Sequence, residues 1–176
     1  GACSAADVAA RNISTAAALV ASAAGVAIAK HGNRSVSSRS GSADVLEALG
    51  VRIDPPTATV EKCLDEAGFA FFFAPLFHPA MKCAGPARRE LGVPTIFNML
   101  GPLTNPAGAQ VQLLGVAKRG HMELIAGALA RLGTGHSLVV HSKDGLDEMT
   151  PTGPTMALEV RGHVVSRMKI LKPEQF

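Results

Sequence analysis

Tryptophan and tyrosine are absent from the 176 residues, so the seven phenylalanines are the only large aromatic side chains available to a core. Because 47% of the residues are hydrophobic, the chain is still expected to be globular, with a core built mainly from small side chains. The cysteines Cys3, Cys63 and Cys83 contain no C-x-x-C pair, and at least one of them must stay unpaired. These features predict a reduced protein of the cytoplasm.

Long apolar runs and a strong net charge are missing as well. The longest apolar stretch, residues 15–29, is rich in alanine and glycine and is too short to span a bilayer. No basic n-region precedes it, so neither a membrane anchor nor a secretion signal is expected. A formal net charge of +3 is too small by itself to indicate a nucleic-acid-binding protein. The length suits one domain with one sizeable core.

Short apolar runs alternate with segments of helical periodicity along the chain. The predicted strands, with the two arms of a terminal hairpin last, lie at residues 26–29, 69–74, 111–117, 137–141, 155–160 and 163–170. The predicted helices between them include residues 45–49, 57–68, 78–91 and 121–132. This alternation predicts an α/β fold with a largely parallel central sheet flanked by helices.

Capping residues and a proline mark features of the predicted helices. Ser14 or Thr15 is the expected N-cap of the first helix, and Gly25 fits its C′ position. Pro86 lies inside the helix that begins near His78, where it predicts a kink or a break.

A polar loop, residues 30–44, follows the first predicted strand and precedes a helix that ends at Gly50. Its first nine residues hold Lys30, Arg34, an amide, a glycine and several hydroxyls. Ammonium, hydroxyl and backbone N–H groups beside a helix N-terminus are a suitable set for binding a phosphorylated ligand. On composition alone, a solvated serine- and glycine-rich loop is an equal alternative.

A second candidate is the acidic segment 144–148, which follows the predicted strand ending at His141. Ligands of α/β sheets collect where strands end. The adjacent carboxylates of Asp147 and Glu148 could coordinate Mg²⁺, which typically takes one or two carboxylates together with waters and substrate phosphates. On this pattern alone, a solvated acidic turn is the favoured alternative.

Four motifs stand out: N-I-S-T at 12–15, K-H-G-N-R-S-V-S-S with G-S-A-D-V-L-E-A-L-G within 30–50, G-P-A-R-R-E-L-G at 85–92 and D-G-L-D-E at 144–148. Together they resemble the anthranilate phosphoribosyltransferases, and the resemblance covers nearly the whole chain from residue 12 onward. It implies a fold of the nucleoside phosphorylase/phosphoribosyltransferase type. Residues 1–176 would form a single α/β domain, with roughly 42–67 and 78–91 contributing to a partial helical subdomain.

The resemblance also implies a reaction. The phosphoribosyl group of phosphoribosyl diphosphate (PRPP) would be transferred to anthranilate, giving N-(5-phosphoribosyl)anthranilate and pyrophosphate, in tryptophan biosynthesis. Mg²⁺ would be the cofactor, and a homodimer is expected, with no membrane or nucleic-acid partner. No side chain is expected to act as a nucleophile, because the protein would work by positioning the amine and stabilising the charge of the departing diphosphate.

Site residues follow from the same resemblance. The residues implied to bind PRPP are Asn12, Ile13, Ser14, Thr15, Lys30, His31, Gly32, Asn33, Arg34, Ser35, Val36, Ser37, Ser38 and Ser42. The residues implied to bind anthranilate are Asn33 and Arg88, the latter through the substrate carboxylate. The residues implied to hold the metal are Ser14, Asp147 and Glu148. His78 is expected to cap or pack.

The sequence departs from the family before the N-I-S-T motif. Family members carry a G-T-G-G-D loop there, and further helices at both ends, whereas residues 2–6 of this sequence read A-C-S-A-A, followed by Asp7. Glycines permit positive φ and close approach of the backbone, and alanines do not replace them freely. A second hypothesis therefore stays open, in which a non-catalytic relative uses the basic loop to bind nucleic acid or another polyanion. A nucleoside phosphorylase is a weaker enzymatic alternative.

Overall fold

The computed structural model describes residues 12–35, 40–91 and 95–175, apart from the side chains at positions 82, 85, 88, 89 and 98. The chain divides into two compact units, residues 1–107 and 108–176. The expected organisation as one domain with a partial helical subdomain stays a prediction. None of the helices in these ranges combines the length and the hydrophobicity needed to cross a lipid bilayer.

In the first unit, helices accompany a parallel strand pair. Its elements are α1 (Ile13–Ala23), β1 (Ile28–Gly32), α2 (Ser42–Ala48), α3 (Thr57–Ala67), β2 (Phe69–Phe73), α4 (Ala74–Phe77), α5 (Ala80–Leu91), α6 (Phe97–Leu100) and a 3₁₀ turn (Gly101–Leu103). Strands β1 and β2 run parallel, with Lys30 opposite Phe71. Pro86 lies inside α5, so the helix does not break at that residue.

The two faces of β2 pack against different helices. On one face, Phe71 joins Ala43 and Leu46 of α2 in a cluster of buried side chains. On the other, Phe72 packs in a cluster with Val60 of α3. A strand covered on both faces needs a continuous apolar run rather than an alternating one, which explains the sequence F-A-F-F-F. The phenylalanines thereby supply much of the core volume of this unit.

The ends of α1 correct one prediction and confirm another. Asn12, rather than Ser14 or Thr15, is the N-cap, and its side-chain oxygen accepts hydrogen bonds from the Thr15 backbone N–H (3.1 Å) and hydroxyl (2.7 Å). The helix begins earlier than expected because asparagine caps as well as serine does. At the other end Gly25 has a φ of 95° and donates to the Ser22 carbonyl, as a C′ glycine does.

The second unit is a mixed sheet covered by one long helix. Its elements are β3 (Val111–Gly115), a 3₁₀ turn (Arg119–His121), α7 (Met122–Leu132), β4 (His136–Ser142), β5 (Thr155–Arg161), β6 (Val164–Val165), β7 (Lys169–Leu171) and a 3₁₀ turn (Pro173–Gln175). Strands β3 and β4 are parallel, whereas β5 is antiparallel to β4, β6 and β7. Met122, Ile125 and Leu129 of α7 are buried, and the helix contacts β4 and β5.

The predicted α/β class with flanking helices is confirmed, and parallel pairing is found at β1–β2 and β3–β4. The five-stranded sheet is mixed rather than largely parallel, because β5 pairs antiparallel with β4, β6 and β7. The terminal hairpin differs in one respect, since its expected second arm is divided into β6 and β7. At the division the Ser166 hydroxyl accepts the Glu159 backbone N–H (3.0 Å), so a side chain takes the place of a backbone partner in the ladder. One strand, β5, therefore pairs with two short ones.

Candidate functional site

The N-terminus of α1 lies beside β1, in the first unit. Lys30 Nζ donates to Ser14 Oγ (3.1 Å), and the Ser14 hydroxyl donates to Asn12 Oδ1 (3.2 Å). An ammonium group, a hydroxyl and the first-turn N–H groups of an 11-residue helix thus come together. This combination of charge, directed donors and the positive end of a helix dipole suits a phosphate group.

The loop after β1 folds back onto the N-terminus of α2. The Asn33 carbonyl accepts hydrogen bonds from the Ala43 backbone N–H (3.2 Å) and the Ser42 hydroxyl (3.4 Å). A side chain at Gly32 would collide with Ser42, so only glycine allows the strand end to approach the helix this closely. The predicted residues Gly32, Asn33 and Ser42 are therefore neighbours in space.

One carboxylate joins the two ends of this loop. Asp44 Oδ2 accepts the backbone N–H groups of both Ser35 (2.9 Å) and Gly41 (2.8 Å). Burial opposes ionisation of Asp44, but these two backbone hydrogen bonds and the nearby Arg34 charge lower its pKa overall. Residues 36–39, which include the predicted Val36, Ser37 and Ser38, lie outside the described residues.

Arg34 is bound within the protein. Its guanidinium donates to Glu47 Oε1 (2.7 Å) from one nitrogen, while the other contacts Glu47 Oε2 and lies 3.4 Å from Asp44 Oδ1. Hydrogen bonding to Glu47 raises the pKa of Arg34, a direction that keeps it charged. Arg34 and Glu47 form a bidentate pair, which is the geometry that arginine and carboxylates favour. Two carboxylates thus offset the only guanidinium in the described part of this loop.

His31 and His78 form a pair that the sequence interpretation missed. His31 Nδ1 lies 3.1 Å from the Gly101 carbonyl oxygen, which can only accept, so Nδ1 carries the proton of a neutral His31. Its Nε2 is then an acceptor, and the Nε2–H of His78 donates to it over 3.2 Å. Burial lowers the pKa of His31, with the Gly101 hydrogen bond opposing and the His78 charge assisting that shift.

A signal for this pair existed in the sequence. Each histidine follows an apolar run that was expected to be a strand, and parallel neighbouring strands bring their carboxyl ends to one edge of a sheet. His31 lies in β1, and His78 follows β2 after the short helix α4. Asn105 further fixes this edge, because its side-chain amide donates to the Ala29 carbonyl (2.9 Å). Arg88 lies on α5, and its side chain is outside the described part of the chain.

Asp147 and Glu148 belong to the second unit, after the end of β4. Asp147 is exposed and Glu148 is half-buried. Gly115, the last residue of β3, lies against the Asp147 backbone so closely that an added Cβ would be 2.6 Å from the Asp147 carbonyl carbon. The strand end and the acidic turn therefore support each other.

Asp147 and Glu148 suit a magnesium ion that is also bound by waters and substrate phosphates better than one that is bound by protein atoms alone. Within residues 12–35, 40–91 and 95–175, no group of three histidine, cysteine, aspartate or glutamate side chains could hold a metal by itself. Mg²⁺ does not require one, because it commonly takes one or two carboxylates and completes its shell with waters and substrate phosphates. Adjacent carboxylates at 147 and 148 meet that requirement.

The predicted residues thus fall into two groups. Those at 12–15, 30–35 and 42 lie in the first unit. There, α1 and β1 bring together Asn12, Ser14 and Lys30. The end of β1 and the N-terminus of α2 bring together Gly32, Asn33 and Ser42. Asp147 and Glu148 lie in the second unit. Their assignment to PRPP, anthranilate and metal stays a prediction.

Comparison with known proteins finds a family model described as the glycosyl transferase family, a/b domain, which matches residues 6–176. The anthranilate phosphoribosyltransferase of Chloroflexus aggregans is 56% identical over 163 residues, which cover 93% of this chain and 48% of that relative. The enzyme of the same name from Moorella thermoacetica is 62% identical over 144 residues, which cover 82% of this chain and 42% of the relative. The chain spans about half the length of the curated relatives that it matches.

Solved structures are similar over the same extent. The anthranilate phosphoribosyltransferase of Thermus thermophilus superimposes with a TM-score of 0.84 at 52% identity, over 94% of this chain and 48% of its own. The Saccharomyces cerevisiae enzyme in complex with PRPP and Mg superimposes with a TM-score of 0.83 at 34% identity, over 93% of this chain and 45% of its own.

Proposed function

The chain belongs to the glycosyl transferase family, whose a/b domain it carries, and on that premise we propose that it transfers the phosphoribosyl group of PRPP to the amine of anthranilate. The observation that carries the proposal is the contact of Lys30 with Ser14 in the first turn of α1. A diphosphate leaving group is the ligand chemistry that an ammonium, a hydroxyl and a helix N-terminus would stabilise together. The relatives named for this reaction support the choice of substrates.

The protein's contribution to such a transfer is positioning and charge stabilisation. Bond breaking at the ribose leaves negative charge on the diphosphate, so donors already in place lower the barrier without reorganising. Lys30 and Ser14 would supply them, while Asn12 holds the first turn of α1 in position. Asp147 and Glu148 are the proposed ligands of Mg²⁺, which would neutralise part of the diphosphate charge.

Anthranilate would be bound by a second set of residues. Asn33 and Arg88 are the proposed contacts, with the planar guanidinium of Arg88 facing the substrate carboxylate. The neutral His31, fixed by Gly101 and His78, offers a half-buried ring in β1, two residues before Asn33. An aromatic substrate whose amine must stay uncharged to react is better matched by a neutral imidazole than by a cation.

The cellular setting and assembly are part of the proposal. Cys63 and Cys83 are free and exposed thiols, which suits the reducing conditions of the cytoplasm. A homodimer is proposed from the resemblance to the family.

Binding and turnover are tested separately. Calorimetric titration with PRPP and Mg²⁺ should show that Lys30→Ala weakens affinity by roughly tenfold to a hundredfold, the usual effect of removing a hydrogen bond to a charged group. Lys62→Ala is the matched control, because Lys62 is an exposed lysine that lies 3.7 Å from Glu66 on α3. Equal PRPP affinity in Lys30→Ala and the wild type would refute the diphosphate assignment.

Turnover is followed by the loss of anthranilate fluorescence in the presence of PRPP and Mg²⁺. Arg88→Ala should raise the KM for anthranilate, Glu148→Ala should impair the use of PRPP, and Arg89→Ala is the neighbouring control. Unchanged turnover in Glu148→Ala would contradict the metal assignment.

The alternative, a binder of nucleic acid or another polyanion, is less well supported. Arg34, one of the two cations that suggested it, is paired with Glu47 and Asp44. A polyanion site needs several uncompensated positive charges along a surface, and its affinity falls steeply with salt. Salt-dependent binding of DNA by this chain, without PRPP binding, would favour the alternative.

A further inference from the structure

Asp144 is the first acidic residue of the D-G-L-D-E segment, and its side chain organises the turn from within. Oδ1 accepts the Leu146 backbone N–H (3.2 Å), and Oδ2 accepts the Thr152 hydroxyl (2.9 Å). The Asp144 N–H in turn donates to the Ser142 hydroxyl (3.4 Å). Asp144 therefore ties the residue just before Asp147 to a segment on the far side of the same loop.

The hydroxyl of Thr152 leads into the core through a chain of threonines. Because a carboxylate only accepts, the Thr152 proton is committed to Asp144, and Thr150 must donate to Thr152 across their 2.6 Å contact. The Thr150 backbone N–H then donates to the hydroxyl of Thr155 in β5 (3.3 Å). Thr150 is 3% exposed and Thr155 is fully buried, so this end of the chain of contacts is fixed.

Backbone contacts hold the turn from the other side. Ser142, fully buried at the end of β4, donates its N–H to the Leu146 carbonyl (2.9 Å), and Gly145 donates to the Ser142 carbonyl (3.1 Å) with a φ of 93°. Gly115 packs against the Asp147 backbone and leaves no room for a side chain. Asp147 and Glu148 thus emerge from a turn that is anchored on both sides.

We propose that Asp144 is a positioning residue that acts through Leu146 and Thr152 to hold the turn bearing Asp147 and Glu148 in its metal-binding conformation. The inference rests on the proposed function, because it takes these two carboxylates as the metal ligands. Residues that orient metal ligands by hydrogen bonds affect metal affinity without touching the metal. Their loss typically weakens affinity by about tenfold to a hundredfold.

Four variants separate positioning from direct charge. Asp144→Ala removes both acceptors, and Thr152→Val removes the two hydrogen bonds of the Thr152 hydroxyl, to Asp144 and to Thr150, at nearly constant shape without altering any charge. Asp144→Asn keeps an oxygen for the Leu146 N–H, and its amide can donate to Thr152 if the threonine hydroxyls reverse direction. Thr152→Ser keeps the hydroxyl. Asp54→Asn is the charge-matched control, since Asp54 is an exposed residue whose carboxylate lies 3.5 Å from exposed Arg52.

The first measurement is the affinity of the 176-residue chain for Mn²⁺ in the presence of PRPP, followed by electron paramagnetic resonance of the free ion. Asp144→Ala and Thr152→Val should each weaken Mn²⁺ binding by about tenfold or more, whereas Asp144→Asn and Thr152→Ser should retain most of the affinity. Amide hydrogen exchange of the metal-free chain is the second measurement. The Leu146 amide should exchange faster in Asp144→Ala than in the wild type, while the amides of α7 stay protected.

Each outcome decides a different claim. Wild-type affinity in Asp144→Ala would overturn the positioning role while leaving the proposed function intact. Loss of affinity in Asp144→Asn with none in Thr152→Val would also overturn it, because the carboxylate would then act by its charge. Failure of the wild-type chain to bind Mn²⁺ with PRPP would refute the proposed function, and the inference with it. If Asp144→Ala does not fold, Thr152→Val and Thr152→Ser carry the comparison.

Discussion

Replacing Gly41 by alanine would disturb the loop that connects β1 to α2. An added Cβ would lie 2.6 Å from both the Arg34 carbonyl carbon and the Asn33 carbonyl oxygen, and it would also contact the Ser35 nitrogen. All three atoms belong to the backbone, so no side chain can rotate away. Ordinary contacts of a Cβ begin at 3.4 Å, and residues 33–35 must therefore move by at least about 0.8 Å.

The displacement would be transmitted to the proposed site. The Asn33 carbonyl holds the N-terminus of α2 through Ala43, and Asp44 bridges Ser35 to Gly41 itself. Moving this backbone separates donors that must act on one ligand, and a misplacement of about 1 Å can cost on the order of a hundredfold in rate. We expect Gly41→Ala to weaken the use of PRPP by about that factor while the chain stays folded.

Titration with PRPP and Mg²⁺, together with circular dichroism, measures the two parts of this prediction. Gly127→Ala is the control, because Gly127 lies in α7 with open space around it. That substitution should leave PRPP affinity unchanged and stabilise the helix by about 0.5–1 kcal/mol. Wild-type PRPP affinity in Gly41→Ala would refute the argument that the close approach of the two loop ends shapes the site.

Two further predictions concern the cap and the histidine pair. Asn12→Ala should lower the free energy of unfolding by about 1 kcal/mol, the usual effect of losing an N-cap, and Asn12→Ser should recover most of it in urea denaturation. Because the pKa of His31 is lowered from its ordinary 6.5, the unfolded chain binds more protons than the folded one just below that pH. The free energy of unfolding should therefore fall as the pH drops below 6.5, and His31→Gln should reduce that slope relative to the wild type. An unchanged slope in His31→Gln would contradict the assignment.

Much of the fold could be predicted from the sequence because its signals are local. Strand and helix positions follow from periodicity, and Gly25 and Gly50 end their helices because they adopt positive φ, which few other residues do. The sequence alone leaves the N-cap of α1 ambiguous, because three good capping residue types occur within four positions. Only the geometry of the first turn, in which Asn12 Oδ1 reaches the Thr15 N–H, decides among them.

The site was less predictable because its contacts depend on the pairing of distant segments. The register of β1 with β2 determines that His31 can meet His78, which lies 47 positions later in the chain. The contact between Gly115 and Asp147 likewise depends on the pairing of β3 with β4. Neither is visible in any short window of sequence.

The pairing of Arg34 depends both on a local sequence signal and on how the loop folds back onto α2. Asp44 and Glu47 are three residues apart on α2 and therefore share a face of that helix. The helix follows the loop, and Arg34 lies near the start of the same loop. The sequence thus contains the signal that the arginine is paired, although the composition of the loop also suits a set of ligand contacts. With Arg34 held by carboxylates, we expect it to fix the loop of the proposed site, and its predicted contact with PRPP stays a prediction. The phosphate contacts are then expected from Lys30, Ser14 and the first turn of α1, so Arg34→Lys, which cannot form the bidentate pair, should loosen the loop without removing a positive charge.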